Sequence, residues 1–148
     1  SICTRDRYFI HGDFVLDNLI VKNKKFKFID WRQNFGEWID GGDVYYDLAK
    51  MNHSLKFDHN LITTNNFNIR YDKEKIYVDM LCKYSSLKKT EIFNKFIDEN
   101  NFDINKINLL TSLIWINMSG VHESKLSLFL YYLGIYNLQN ELNKKRIC

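Results

Sequence analysis

The order of polar and apolar residues predicts a short β-hairpin near the start of the chain. Residues 26–29 alternate apolar and polar side chains, as a half-buried strand does, and an apolar run at residues 19–22 precedes them. Asn23 and Lys24 between the runs favour a tight turn, because Asn tolerates a positive φ. A further short strand is predicted at residues 7–10, ahead of the hairpin.

Helical spacing of apolar residues then predicts four helices. Residues 43–55 form the first, with Asp43 as N-cap and with Val44, Asp47, Leu48 and Met51 on one face. The others cover residues 90–100, capped by Thr90, residues 103–118, capped by Asp103 and ended by Gly120, and residues 124–142. Their predicted inward residues are Ile92, Phe93, Phe96, Ile97, Ile107, Leu110, Ile114, Trp115, Leu126, Phe129, Leu130, Leu133 and either Tyr136 or Leu138.

The remaining segments are less regular. Residues 31–42 and 57–68 are predicted as irregular, residues 67–71 favour a short strand, and residues 74–84 fit either a helix or a strand. A hairpin followed by helices predicts an α+β, mainly helical fold. The 148 residues are expected to form a single domain, with residues 1–42 as loop and hairpin and residues 43–148 as a helical subdomain.

Composition narrows the classes of function. A net charge of +3 is too small to indicate a nucleic-acid partner. The sequence shows neither an apolar run of membrane-spanning length nor a signal-peptide pattern, so a membrane partner is not expected. Cys3, Cys82 and Cys148 are far apart, which favours free thiols in a reducing compartment and predicts the cytoplasm.

Three polar residues are predicted to meet at the base of the hairpin. The hairpin brings Asn18, at its start, beside Asp30, at its end, while Asp13 lies on the loop before it. Two carboxylates and one amide oxygen suit Mg²⁺, which takes few protein ligands and leaves the others to phosphate and water. The spacing D-x-x-x-x-N, with a His two residues before the Asp, also matches the catalytic loop of kinases.

The motifs H-G-D-F-V-L-D-N, F-I-D-W and G-D-V-Y-Y-D-L-A, in this order, resemble those of the aminoglycoside phosphotransferase and choline kinase superfamily. The run I-D-W-R-Q-N-F-G-E and the residues after it are still more similar to a subgroup associated with capsular and surface polysaccharide genes. The resemblance covers roughly the first third of the chain. It implies the C-terminal lobe of a kinase-like fold, and Mg²⁺-dependent transfer of the γ-phosphoryl group of ATP, or another nucleoside triphosphate, to a hydroxyl group.

The resemblance also implies roles for single residues. Asp13 would be the catalytic base, and Asn18 and Asp30 the Mg²⁺ ligands. His11 would pack beneath the loop, and Asp47, on the apolar stripe of its helix, would accept hydrogen bonds from the loop backbone. Further candidates for contact with phosphate or acceptor are Arg32, Glu37 and Asp43, and His53 is expected to pack at a helix end.

One departure from the family concerns nucleotide binding. Kinase-like enzymes carry a nucleotide-binding lobe before the catalytic loop, whereas about ten residues precede His11 here. The chain alone is therefore expected to be inactive and to need that lobe in cis or in trans. The alternative is a non-catalytic remnant or interaction module of kinase-like fold. The acceptor stays open among a sugar or polysaccharide precursor, a choline-like alcohol and an aminoglycoside.

Overall fold

The computed structural model describes residues 8–39, 41–57, 64, 66–81 and 84–146. Within these ranges the fold is α+β and mainly helical, with two separate two-stranded antiparallel sheets, which confirms the predicted class. The cysteines and residue 7 of the predicted first strand lie outside the described residues. The elements are β1 (Leu19–Lys22), β2 (Lys25–Phe28), α1 (Val44–Lys56), β3 (Phe67–Asp72), β4 (Lys75–Met80), α2 (Tyr84–Glu99), α3 (Ile104–Ser119) and α4 (Ser124–Arg146), and a 3₁₀ turn (Leu16–Asn18) precedes β1.

The first hairpin forms as predicted. β1 and β2 pair in antiparallel register with Leu19 opposite Phe28. Asn23 and Lys24 both have positive φ, 50° and 59°, as the tight type I′ turn between two twisted strands requires. Before the hairpin, Tyr8 makes a single antiparallel bridge to Gly42, which is all that the described residues show of the predicted first strand.

A second hairpin forms in the region where residues 74–84 fitted either a helix or a strand. Residues 75–80 form β4, which pairs with β3 so that Phe67 lies opposite Met80, and α2 begins four residues after β4 ends. The turn places Lys73 at a φ of 49°. Phe67 is buried against Phe129 of α4, with ring centroids 4.9 Å apart, and this contact anchors the hairpin on the helices.

The predicted caps of α1 and α3 are present. Asp43 accepts a hydrogen bond from the backbone N–H of Tyr45, and Asp103 accepts from those of Asn105 and Lys106. Both helices therefore begin one residue after the aspartate, because its side chain satisfies N–H groups that have no partner inside the helix. Gly120 ends α3 as predicted, in a right-handed conformation with φ of −72°.

The predicted start of α2 at Thr90 is wrong. The helix begins at Tyr84, and the Thr90 hydroxyl donates to the carbonyl of Ser86, 2.9 Å away, one turn earlier in the same helix. A threonine hydroxyl can bond in this way inside a helix, so Thr90 is no marker of an N-terminus here. Of the four residues predicted to face inward from this helix, two are buried and two are not. Phe93 and Ile97 are buried, whereas Ile92 and Phe96 are largely exposed beside α1.

The core consists of two apolar clusters that share α3. The first joins α1, α2 and α3, and the second joins β3, α3 and α4 with the residue that follows α1. Gly134 lets α3 and α4 pack closely, because a Cβ at this position would lie 2.6 Å from Cγ1 of Ile116. The buried members are Leu48, Ala49, Leu55, Phe93, Ile97, Ile107 and Ile114 in the first cluster, and Phe57, Phe67, Trp115, Phe129 and Leu130 in the second.

One side of α1 packs on α3, where Asn52 donates to Thr111, and several other polar residues of α1 meet the loop before the first hairpin. Ser54, for example, accepts a hydrogen bond from the backbone N–H of Leu16, with 3.3 Å between the atoms. Among the helices within the described ranges, none combines the length and the apolar character needed to cross a membrane.

Candidate active site

Asp47 attaches the loop that carries Asp13 to α1. Its Oδ2 accepts from the backbone N–H of His11 at 2.6 Å, and its Oδ1 accepts from that of Gly12 at 2.9 Å. These are the hydrogen bonds predicted for Asp47. Burial raises the pKa of its carboxyl above the ordinary value, and the two N–H donors oppose this effect only in part. This largely buried carboxyl group therefore fixes two backbone N–H groups of the loop to α1.

Gly12 allows a second segment to cross the loop at close range. A Cβ at Gly12 would lie 2.6 Å from Cβ of Arg32, and its φ of 79° also favours glycine. The backbone N–H of Arg32 donates to the carbonyl of His11, 2.9 Å away. The chain just after Asp30 is thus fixed directly against the Asp13 loop.

The His11 ring ties the loop to the end of the hairpin. Its Nδ1 accepts from the backbone N–H of Asp13 at 3.2 Å, and its Nε2 lies 2.9 Å from the carbonyl oxygen of Ile29. Because Nδ1 must accept, the proton belongs on Nε2, which donates to Ile29. The ring is buried and packs 4.6 Å from Trp31, centroid to centroid. His11 therefore packs beneath the loop, as predicted, and holds the residue that precedes Asp30.

Asn18 makes the third connection. Its side-chain N–H donates to the carbonyl of Asp13 at 2.9 Å, and its own carbonyl accepts from the N–H of Ile29 at 3.0 Å. The amide oxygen of its side chain is the atom that could serve as an oxygen ligand. Asp30 follows Ile29, is exposed, and has a φ of 58°, which is uncommon for a residue with a side chain. Strained backbone of this kind concentrates at functional positions.

The donor set at the hairpin base fits Mg²⁺ in chemistry but is small. Within the described ranges, no three His, Cys, Asp or Glu side chains gather closely enough to hold a metal ion. An amide oxygen from Asn18 and a carboxylate from Asp30 are the type of ligand that Mg²⁺ accepts when phosphate and water supply the others. Such a site would depend on a nucleotide to be complete.

Asp13 lies between two cations. Nζ of Lys50 is 2.8 Å from its Oδ1, and the Arg32 guanidinium is 3.1 Å from its Oδ2. Burial alone would raise the pKa of the Asp13 carboxyl, but Lys50 and Arg32 together hold it below the ordinary value. The side chains of Asp13 and Lys50 are each 16% exposed, whereas that of Arg32 is 58% exposed. Lys50 is therefore the largely buried partner and Arg32 the exposed one.

Sequence reasoning missed Lys50. It lies three residues after Asp47, on the turn of α1 that faces the loop. Two residues at this spacing share one helix face. Because Asp47 was predicted to face the loop, the same argument could have placed Lys50 on that side of the helix, but it does not name Asp13 as the partner.

A pocket of about 430 Å³ lies next to the loop. Gly12, Arg32 and several aromatic residues line it. Of the other predicted contacts, Glu37 is exposed in a turn, while Asp43 is only 8% exposed, caps α1 and lies 3.6 Å from Nζ of Lys106. The position of Asp43 is accounted for by the helix it caps.

His53 is buried near the C-terminal end of α1, as predicted. Its ring lies 6.3 Å from both Phe57 and Trp115, and its Nδ1 finds no hydrogen-bond partner among the described residues. Burial, followed by the positive charge of Lys50, lowers its pKa to about 4. The imidazole is therefore neutral at ordinary pH.

The chain matches no protein-family model, no curated protein and no solved structure. The resemblance to the aminoglycoside phosphotransferase and choline kinase superfamily therefore stays a prediction that depends on its three motifs. The structure adds the contacts through which Asp47, His11 and Asn18 join the Asp13 loop to the hairpin base.

Proposed function

We propose that the chain carries the catalytic loop of a phosphotransferase that depends on Mg²⁺. The reaction would move the γ-phosphoryl group of ATP, or of another nucleoside triphosphate, to a hydroxyl group of a small molecule. One observation supports this most directly. The Asp13 loop is joined to the base of the first hairpin by the His11 ring and the Asn18 side chain, so that the three proposed functional residues share one frame.

Asp13 would orient the acceptor hydroxyl. Phosphoryl transfer depends mainly on positioning and on neutralising charge, so it does not need a strong base. A carboxyl group with a lowered pKa stays ionised and can accept a hydrogen bond from the hydroxyl. It would then receive the proton as the hydroxyl oxygen bonds to the γ-phosphorus and the bond from that phosphorus to the departing nucleoside diphosphate breaks.

Lys50 and Arg32 would have different tasks. Lys50, which is largely buried, would keep Asp13 ionised and fixed in place. Arg32 is mostly exposed and can release Asp13 when a hydroxyl arrives. Its planar guanidinium matches the geometry of phosphate oxygens, so it would bind the transferring group.

Asn18 and Asp30 would hold the metal ion. The hydrogen bond to the carbonyl of Asp13 uses the nitrogen of the Asn18 side chain and leaves its amide oxygen for the metal ion. The ion would supply charge neutralisation on the phosphate oxygens. His11 supports this end by fixing Ile29, the neighbour of Asp30.

The test is ADP release by the full-length protein with Mg²⁺, ATP and a panel of sugars, choline and aminoglycosides. Asp13→Asn is expected to lower kcat by roughly 10²-fold or more. Asp17→Asn, four residues along and exposed, is the matched control and should leave kcat unchanged. Equal turnover by Asp13→Asn and the unmodified protein would contradict the proposal.

The role of Lys50 can be tested separately, through the pH dependence of the reaction rate. Lys50→Met removes the nearer of the two charges beside Asp13, so the pKa of Asp13 should rise. The acidic limb of the pH–rate profile is then expected to move to higher pH. Lys95→Met, an exposed lysine on α2, should leave the limb in place.

A second candidate is a non-catalytic interaction module. The observation that favours it is that both carboxylate oxygens of Asp13 are engaged by cations, which leaves little room for a hydroxyl. In that case no acceptor on the panel would stimulate ADP release, and Asp13→Asn would change only stability.

A further inference from the structure

One wall of the pocket beside the loop is a tryptophan that is both fixed and exposed. The indole N–H of Trp31 donates to the carbonyl of Phe28 at 3.2 Å, and its ring packs on His11. The side chain is nevertheless 46% exposed. An aromatic ring held in this way presents apolar surface without the entropy cost of ordering it on binding.

A small turn anchored on α1 also lines the pocket. Phe35 and Trp38 exchange two backbone hydrogen bonds, of 2.7 and 3.1 Å, around Gly36, which has a φ of 61°. The Phe35 ring packs on Tyr46 of α1, with 5.0 Å between centroids. Trp38 is therefore presented to the pocket by a structure that needs no ligand to form.

Polar groups line the pocket as well. Arg32, Gln33 and Asn34 line the pocket together with Trp31 and Trp38. Its volume of about 430 Å³ falls in the range of small-molecule sites. Aromatic faces beside amide and guanidinium groups suit a sugar ring, because its C–H faces pack on aromatic rings while its hydroxyls need hydrogen bonds.

The pocket ends at the Asp13 loop. Gly12, which directly precedes Asp13, lines the pocket, and so does Arg32, which contacts the Asp13 carboxylate at 3.1 Å. A ring bound here could direct one hydroxyl toward Asp13. Proximity of this kind is what the proposed transfer requires.

The charge of the residues that line the pocket limits which ligands can bind there. Among the described residues that line the pocket, Arg32 is the one that is charged, and Asp13 is already paired with two cations. A cationic ligand would be repelled by Arg32, whereas a neutral or acidic one would not.

We propose that this pocket binds the acceptor and that the acceptor is a neutral or acidic sugar rather than a choline-like alcohol or an aminoglycoside. The inference rests on the proposed phosphotransferase function, for which it names the substrate class and the binding site.

The test is ¹⁹F NMR of the full chain labelled with 5-fluorotryptophan. Its three tryptophans are Trp31, Trp38 and Trp115, and the last is only 3% exposed and serves as an internal control. A panel of hexoses, hexuronates, hexosamines and choline is titrated. Saturable shifts of Trp31 and Trp38 by a hexose or a hexuronate, with Trp115 unchanged, are the expected result. If no sugar changes the chemical shift of Trp31 or Trp38, or if only hexosamines and choline do, the inference is overturned.

Matched variants locate the site. Trp38→Ala should weaken sugar binding at least about tenfold, whereas Tyr71→Ala, an exposed aromatic residue of β3, should not. Arg32→Gln should remove the preference for hexuronate over hexosamine. Arg70→Gln is its control, because Arg70 is similarly exposed at 62% and is also paired with an aspartate. Unchanged affinity in Trp38→Ala would place the sugar elsewhere and overturn the inference.

Binding and turnover separate the two proposals. If sugars shift Trp31 and Trp38 but no acceptor stimulates ADP release, the pocket is a sugar site and the proposed function fails. If choline is phosphorylated while the tryptophan resonances stay unchanged, the function stands and the pocket inference fails.

Discussion

Two β-hairpins can be compared within the described part of the chain, because each has two antiparallel strands, a two-residue turn and a largely exposed surface. They differ in how they are attached. The first is held at its base by two hydrogen bonds of Ile29, whose N–H donates to the carbonyl of Asn18 and whose carbonyl accepts from Nε2 of His11. The second is held by Phe67, which is buried on Phe129 and Phe57 of the second core cluster.

The two attachments suit different purposes. Hydrogen bonds are directional and fix the positions of the atoms they join, which a site for phosphoryl transfer requires. Apolar contact is not directional and mainly stabilises. Substitutions at the base of the first hairpin should therefore disturb the site more than the stability, and those at the base of the second should do the reverse.

The largest stability effect is expected at Phe67. Phe67→Ala removes a ring buried against Phe129 and should lower the free energy of unfolding by roughly 3–5 kcal/mol. Tyr71→Ala, on the same strand but 61% exposed, should change it by less than about 0.5 kcal/mol. Urea denaturation followed by circular dichroism measures both. A small loss for Phe67→Ala would mean that the second hairpin is not anchored by this ring.

The next effect is a loss of stability in acid that comes from His53, which lies between Lys50 and the second core cluster. Its folded pKa of about 4 is below the ordinary 6.5, so the unfolded chain binds the proton more tightly. The contribution of His53 is therefore present above pH 6.5 and lost as the pH falls through 4. At about 1.4 kcal/mol per pH unit between the two values, the loss is roughly 3 kcal/mol.

His53→Phe should make unfolding free energy depend less on pH between 6.5 and 4, the range set by the two pKa values. Tyr71→Phe, at an exposed position of β3, is the control and should keep the slope of the unmodified chain. Equal slopes in all three proteins would show that His53 has the same pKa in the folded and unfolded states.

Asp47 should have a smaller effect on stability but a larger one on the site. Asp47→Ala leaves the N–H groups of His11 and Gly12 without an acceptor, which should cost roughly 1–3 kcal/mol. Asp17→Ala, at an exposed position, should cost almost nothing. In the Asp47 variant, amide hydrogen exchange at His11 and Gly12 should become faster while that at Leu81, beside the second hairpin, stays the same. Unchanged exchange at both loop amides would contradict the anchoring role.

The two hairpins also differ in how well the sequence predicts them. The first has alternating polarity and an Asn in its turn, and both are local signals. The second turns at Lys73 and Glu74, which carry no turn preference, so residues 74–84 fitted either helix or strand. Its buried residue Phe67 packs on Phe129, 62 residues away in sequence, and no local pattern encodes this contact.

The residues of the candidate site also differ in how well the sequence predicts them. Asp47 could be placed because a carboxylate on an apolar helix stripe needs buried donors. Lys50 could not be assigned to Asp13 until the crossing of loop and helix was known, since 37 residues separate them. The N-terminus of α2 was misplaced because the Thr90 side chain bonds within the helix as readily as it caps one.

The smallest effects are expected at the tips of the hairpins. Lys24 and Lys73 have φ of 59° and 49°, a region that costs side-chain-bearing residues about 1–2 kcal/mol. Glycine removes this cost but loses more entropy on folding, so Lys24→Gly and Lys73→Gly should each stabilise by about 0.5 kcal/mol. Lys27→Gly, within β2, should instead destabilise.

Amide hydrogen exchange in the two glycine variants tests whether the hairpins open independently of each other. Lys24→Gly should slow exchange of the Ile29 N–H, which donates to Asn18 at the base of the first hairpin, and leave that of Leu81 unchanged. Lys73→Gly should slow exchange of the Leu81 N–H, which donates to Asn66 at the base of the second, and leave that of Ile29 unchanged. If either substitution slows both amides, the two hairpins open as one cooperative unit, and the base of the first is not an independently held part of the site.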